Sequence, residues 1–157
     1  MKKPFETEMD DTQQAVSQIV CLCTTIALHQ EFSVGKTRLE RIKARIDELE
    51  NQNTEVIMTP DAYGRPSKDK AEAIRESWLA GYVTSDYRIP MLRAPRGRKE
   101  QQYRIAGNKA AKIAWQIYAK AVIDVLHYGS ERLERLRKES HANYEQLNQW
   151  AHEDGLD

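Results

Sequence analysis

The sequence predicts an all-α protein: two long helical hairpins packed as a four-helix core, joined by an insertion that holds one helix and an irregular basic loop. Three observations predict it. Four long segments repeat apolar residues at helical spacing, strand-like alternation is scarce, and one turn-plus-helix signature occurs twice. At 157 residues the chain suits a single domain, 1–157, divided as hairpin 11–53, insertion 54–104 and hairpin 105–153.

Residues 1–10 read as frayed, with Asp10 or Asp11 as the first helix cap. From Thr12, the residues Ala15, Val16, Ile19, Val20, Leu22, Cys23, Ile26 and Ala27 cover much of the circumference, as a central helix requires. Phe32-Ser33-Val34-Gly35 makes a turn. A second helix from Lys36 carries Leu39, Ile42, Ile46 and Leu49 as one apolar stripe among charged faces. Asn51, Asn53, Pro60, Gly64 and Pro66 then punctuate the chain, with Glu55-Val56-Ile57-Met58 as a short extended piece. Ser67 caps a third helix that runs through Trp78 and Leu79 and closes at Gly81. The stretch from Tyr82 to Arg104, with Pro90, Pro95 and Gly97, reads as irregular. A fourth helix carries Ile105, Ile113, Trp115, Ile117, Tyr118, Val122, Ile123, Val125 and Leu126. After a His127-Tyr128-Gly129 turn, a fifth places Leu133, Leu136, Tyr144, Leu147, Trp150 and Ala151 on one face, before a polar, acidic tail from His152 to Asp157.

The repeated signature is Gly35-Lys36-Thr37-Arg38-Leu39-Glu40-Arg41-Ile42-Lys43 against Gly129-Ser130-Glu131-Arg132-Leu133-Glu134-Arg135-Leu136-Arg137. Each copy follows a Leu-His pair, Leu28-His29 or Leu126-His127, at slightly different spacing. Equivalent packing of the two units requires Leu39 and Leu133 to be buried at equivalent places.

Composition excludes several classes. A formal net charge of zero leaves no overall field towards polyanions, so any electrostatic function must come from local charge placement. Met1 to Glu6 does not read as a signal peptide, and the most apolar stretch, Ile19 to Leu28, is about half the length of a membrane span. Cys21 and Cys23, two apart on a helix, point to different faces and do not suit a disulfide. A reducing cytoplasm is the expected compartment, with no membrane partner.

No catalytic constellation can be assembled, and neither cofactor nor metal is expected. Gly35-Lys36-Thr37 mimics the end of a phosphate-binding loop, but Gln30 stands where the first glycine belongs and a helix precedes it instead of a strand. Cys-x-Cys within a helix cannot offer both thiolates to one ion. His29 and His127 suit helix ends, while His141 and His152 read as solvated. The carboxylates alternate with Lys and Arg, as ordinary exposed helix surface does.

Two segments suit macromolecular contact. From Arg88 to Lys112 stand Arg88, Arg93, Arg96, Arg98, Lys99, Arg104, Lys109 and Lys112, with Glu100 as the one carboxylate among them. Tyr82, Tyr87 and Tyr103 flank or interrupt this run. Such a segment suits phosphates and stacked bases, or an acidic protein surface, because guanidinium forks pair with carboxylates. The second segment, Phe32 to Ile42, is similar to the turn and recognition helix of helix-turn-helix DNA-binding proteins. The resemblance implies Lys36, Thr37, Arg38, Arg41 and Arg45 as residues suited to groove or phosphate contacts. Ser33 replaces the usual turn glycine there, and His29 stands where alanine is usual.

The segment Ala27 to Arg41 resembles one found in small uncharacterised helical accessory proteins of Gram-positive phages and prophages. That resemblance implies a bacterial or phage cytoplasm and an accessory role, such as gene regulation or the blocking of a host defence. The expectation is a non-enzymatic protein that binds nucleic acid or a nucleoprotein through Arg88 to Lys112. The alternatives are a protein-directed inhibitor of anti-CRISPR type and a helix-turn-helix regulator; a homodimer is an allowed assembly.

Overall fold

The computed structural model describes residues 4–82, 86–91 and 93–153; the tail from Asp154 to Asp157 lies outside them. Five helices form among the described residues: α1 (Phe5–Phe32), α2 (Lys36–Met58), α3 (Lys68–Trp78), α4 (Arg98–Leu126) and α5 (Ser130–Glu153). The chain is all-α, and its four long helices make the core.

Three boundaries differ from expectation, each for a local reason. The first helix begins at Phe5 and not near Thr12. Pro4 fixes the entry, and Glu6 and Glu8 suit the positive end of the helix dipole. Phe5 also rests on the Tyr103 ring at 5.8 Å, and the Tyr103 hydroxyl donates to Glu8. α2 runs on to Met58, so Glu55 to Met58 is helical and not extended. Val56 and Ile57 are half-buried, and the helix stops at Thr59, where the following Pro60 disfavours helical backbone. α4 begins at Arg98 and not at Ile105; Gly97, at φ 93°, supplies a positive-φ backbone open to glycine from which the helix starts. Arg98, Lys99 and Arg104 therefore stand on a helix rather than in a loop.

The central pair is α1 with α4, and it runs parallel. Phe5 and Glu8 meet Tyr103 at one end, Val16 lies beside Gly107, and Thr25 Oγ1 bonds the Tyr118 hydroxyl at 2.7 Å further along. At the far end the Phe32 and Tyr128 rings lie 5.4 Å apart. Small side chains permit this approach: buried Ala106, Gly107, Ala110, Ala111 and Ala114 on α4, and Val16, Val20, Cys23 and Ala27 on α1. The large residues are not all inside. Ile105, Leu22 and Trp150, expected on packing faces, are 61 %, 52 % and 54 % exposed.

The outer helices pack crosswise. α5 lies antiparallel along α1, where Thr24 Oγ1 and Ser140 Oγ share a hydrogen bond at 2.8 Å and Asn143 Nδ2 donates to the Cys23 carbonyl at 3.1 Å. α2 lies along α4, where Arg45 Nε meets Asp124 at 2.9 Å. Neither α1 with α2 nor α4 with α5 packs along its length. α3 leans on α2 and α4 through buried Arg75, which donates to Gln116 Oε1 at 3.1 Å and Asn53 Oδ1 at 2.7 Å. Burial lowers the Arg75 pKa, against the pull of Glu72 and Glu76.

The two halves repeat the same construction. A helix of 28 residues, a three-residue break and a helix of 23 match a helix of 29, a three-residue break and a helix of 24. Each long helix ends on a left-handed residue, Ser33 at φ 55° and His127 at φ 57°. The amides of Leu39 and Leu133 then bond the carbonyls of Gly35 and Gly129, both at 3.0 Å. This alignment makes Ser33 the counterpart of His127, so the two Leu-His pairs are not equivalent; His29 sits inside the last turn of α1 and contacts the Val34 carbonyl. Burial is also unequal. Ile42 and Leu136 are both inside, as is Leu133, but Leu39 is only half-buried.

Left-handed backbone is strained for Ser and His, and glycine relieves that strain at the cost of more unfolded-state freedom. His127→Gly should therefore raise the unfolding free energy by up to about 1 kcal/mol, read by urea denaturation. A loss of stability of that size would show that the break is held by the histidine side chain.

Candidate functional site

Much of the basic segment is engaged within the molecule. Arg93 forks onto Glu100, with Nη1 and Nη2 donating to the carboxylate oxygens at 2.9 and 3.1 Å. The Arg96 backbone N–H donates to the same carboxylate at 2.5 Å, and Arg104 Nη2 donates to the Arg93 carbonyl at 2.8 Å. Lys99 pairs with Glu8 at 3.5 Å, Lys112 with Glu76 at 3.5 Å, and Arg88 with Asp86 at 3.3 Å. The parallel arrangement of α1 and α4 explains the Lys99 pair, because it lays the acidic start of α1 against the basic start of α4. Arg96, Arg98 and Lys109 are exposed and form no ion pair among the described residues. Arg98 and Lys99 occupy the first turn of α4, where cations oppose the helix dipole.

The Glu100 carboxyl is held down to about 2, first by the Arg93 fork and then by the Arg96 N–H. A depressed carboxylate pKa means that the latch is complete above the ordinary range and opens as pH falls towards 2. An NMR titration of the Glu100 side chain should find a midpoint near 2, and Arg93→Ala should return it towards 4.5. A wild-type midpoint near 4.5 would show that the latch is open in solution.

The cations of α2 divide differently. Lys36, Thr37, Arg38 and Arg41 are exposed, with Lys36 in a loose pair to Glu40 at 3.9 Å. Arg45 is committed: it holds Asp124 on α4 and Glu48 on its own helix, and these carboxylates raise its pKa. Sequence reasoning placed Arg45 beside the others because it saw only the helix face and not the partner across it.

Burial pushes the Cys21 and Cys23 thiols up to about 11, so neither is ionised near neutral pH, and both are free. No group of three His, Cys, Asp or Glu side chains able to hold a metal ion occurs among the described residues. No helix of the described residues is long and apolar enough to cross a membrane. His141 is not solvated as expected. Its ring stands edge-on to Tyr87 at 5.6 Å, with Nε2 at 3.0 Å from the Arg88 carbonyl, because the extended segment before α4 lies over this face of α5.

The feature that the sequence did not reveal is a groove of about 740 Å³ between α1 and α2. Its walls include Cys21, Leu22 and Ile26 from one helix and Leu39 and Ile46 from the other, over Tyr118 of α4. Lys36, Lys43, Glu40 and Asp47 also line it, giving mixed charge. By sequence, Cys21 and the neighbouring apolar residues of α1 belong to a helix buried around much of its circumference, and Leu39 and Ile46 to the one apolar stripe of α2. The groove exists because α1 and α2 do not close on each other.

No family model, curated protein or solved structure matches the chain.

Proposed function

We propose that the protein is a non-enzymatic accessory protein that binds nucleic acid or a nucleoprotein through the cations at and around the start of α4. The observation that carries this reading is the set Arg96, Arg98 and Lys109, which the fold leaves exposed and without ion pairs among the described residues. Arg98 stands, moreover, at the end of a helix that disfavours cations, so the stability of α4 does not account for it. Arg98 and Lys109 fall on the same side of α4, about 16 Å apart along its axis, a span that meets several phosphates of one strand. Arg93 and Arg104 serve instead to shape the loop.

A protein-directed inhibitor, of the anti-CRISPR type, is the second reading. It draws support from the groove between α1 and α2, since an apolar surface serves a protein partner better than a phosphate backbone. The helix-turn-helix reading is weaker, because Arg45 is already held by Asp124 and α2 leaves an open groove against α1.

The test is fluorescence anisotropy with labelled single-stranded and duplex oligonucleotides over a range of salt. Binding should weaken steeply as salt rises. Replacing Arg96, Arg98 and Lys109 together with Ala should reduce the slope of log K against log salt by about 2–3, with the melting temperature nearly unchanged. Identical slopes for wild type and variant, or no binding at low salt, would defeat the reading.

A further inference from the structure

The molecule contains two equivalent clefts, and among the described residues the chain fills one and leaves the other open. Between α4 and α5 lies the extended segment from Asp86 to Pro90. Tyr87, 1 % exposed, is its anchor. The ring packs 6.0 Å from Trp115 and 5.6 Å from His141, and the hydroxyl bonds Ser140 Oγ at 3.0 Å, which in turn bonds Thr24. Side chains of both walls hold the segment's backbone: Asn108 Oδ1 accepts the Ile89 N–H at 2.8 Å, and the His141 ring meets the Arg88 carbonyl at 3.0 Å.

The spacing from Gly35 to Gly129 maps these residues onto the other half. Trp115, Ser140 and His141 correspond to Cys21, Ile46 and Asp47, and the floor residue Thr24 corresponds to Tyr118. All four counterparts line the open groove between α1 and α2. The groove is therefore the same cleft without its plug. Its volume of about 740 Å³ falls within the roughly 300–1,000 Å³ typical of ligand sites. The substitutions say what it accepts. Cys21 in place of Trp115 widens the wall, and Ile46 in place of Ser140 removes the hydroxyl that receives the tyrosine.

We propose that the groove between α1 and α2 binds an extended segment of a partner protein, seated by a phenylalanine, leucine or similarly large apolar side chain where Tyr87 sits in the filled cleft. This inference rests on the protein-directed reading and is independent of the phosphate-binding one. The segment is extended because that is the shape the same helix spacing accepts in the filled cleft, and its anchor is apolar because the groove lacks the hydroxyl that Ser140 presents.

The test uses the full chain and labelled decapeptides carrying the sequence of residues 82–91, with Phe, Leu or Ala at the anchor position. The Phe and Leu peptides should bind saturably, at least about tenfold more tightly than the Ala peptide. They should shift the methyl NMR signals of Leu22, Leu39 and Ile46 and leave those of Leu133 and Leu136 in place. Leu22→Lys, at a side chain already half in solvent, should weaken binding about tenfold or more while keeping the circular dichroism spectrum. Equal affinity for all anchors, shifts confined to Leu133 and Leu136, or unimpaired binding by Leu22→Lys would each overturn the proposal. So would sedimentation showing a dimer that Leu22→Lys dissolves, since the occupant would then be a second copy. Oligonucleotide binding measured in the same samples reports on the basic face separately, so either site can fail alone.

Discussion

The close parallel contact between α1 and α4 is the constraint on which the rest depends. Two helices approach this nearly only where their facing side chains are small, and a Cβ on Gly107 of α4 would already be in van der Waals contact with Val16 Cγ2 of α1 at 3.6 Å. Once the pair is set, each partner helix has only one flank left to cover. α5 takes the outer side of α1 and α2 takes the outer side of α4, so each half of the chain lays its second helix on the first helix of the other. The packing energy comes from apolar area removed from water along these seams. The left-handed breaks at Ser33 and His127 supply the reversals that make the exchange geometrically available.

The same constraint distributes charge. Parallel α1 and α4 bring the ends of two helices together at one pole of the bundle, and the acidic first turn of α1 answers part of the basic start of α4. A run of eight cations against one carboxylate in sequence is consequently much less positive in space. What remains is a smaller set on which an anionic partner can act. The crosswise pairing also leaves a gap beside each long helix. One gap is closed by a segment that the chain carries between α3 and α4, and the other stays open.

The fold class was legible because helical periodicity is a local property. Ile42, Leu133 and Leu136 were placed inside by spacing alone, and they are inside. Leu22 and Ile105 lie outside because hydrophobicity alone does not decide burial: α4 presents alanines and a glycine to the seam and α1 presents valine, cysteine and alanine, all of them small. The early start of α1 was hidden because Phe5 and Glu8 are held by Tyr103, a residue far along the chain. The register of the repeat misled at the Leu-His pairs, since a left-handed cap can be Ser in one copy and His in the other. The basic residues were legible as a run, but which of them are free depends on Glu8, Glu76 and Glu100 being brought to them by the fold. The groove had no sequence signal, because it is defined by what fails to fill it.

The central claim is that two equivalent clefts differ in being filled or open, and Leu39 and Leu133 occupy equivalent positions beside them. Paired urea denaturation of Leu39→Ala and Leu133→Ala tests this most directly. Leu133→Ala should cost about 2–5 kcal/mol, as a fully buried leucine does. Leu39→Ala should cost about 1 kcal/mol or less, since its side chain borders open space. Equal, large losses at both positions would contradict the account, because they would mean that the cleft between α1 and α2 is closed in the free protein.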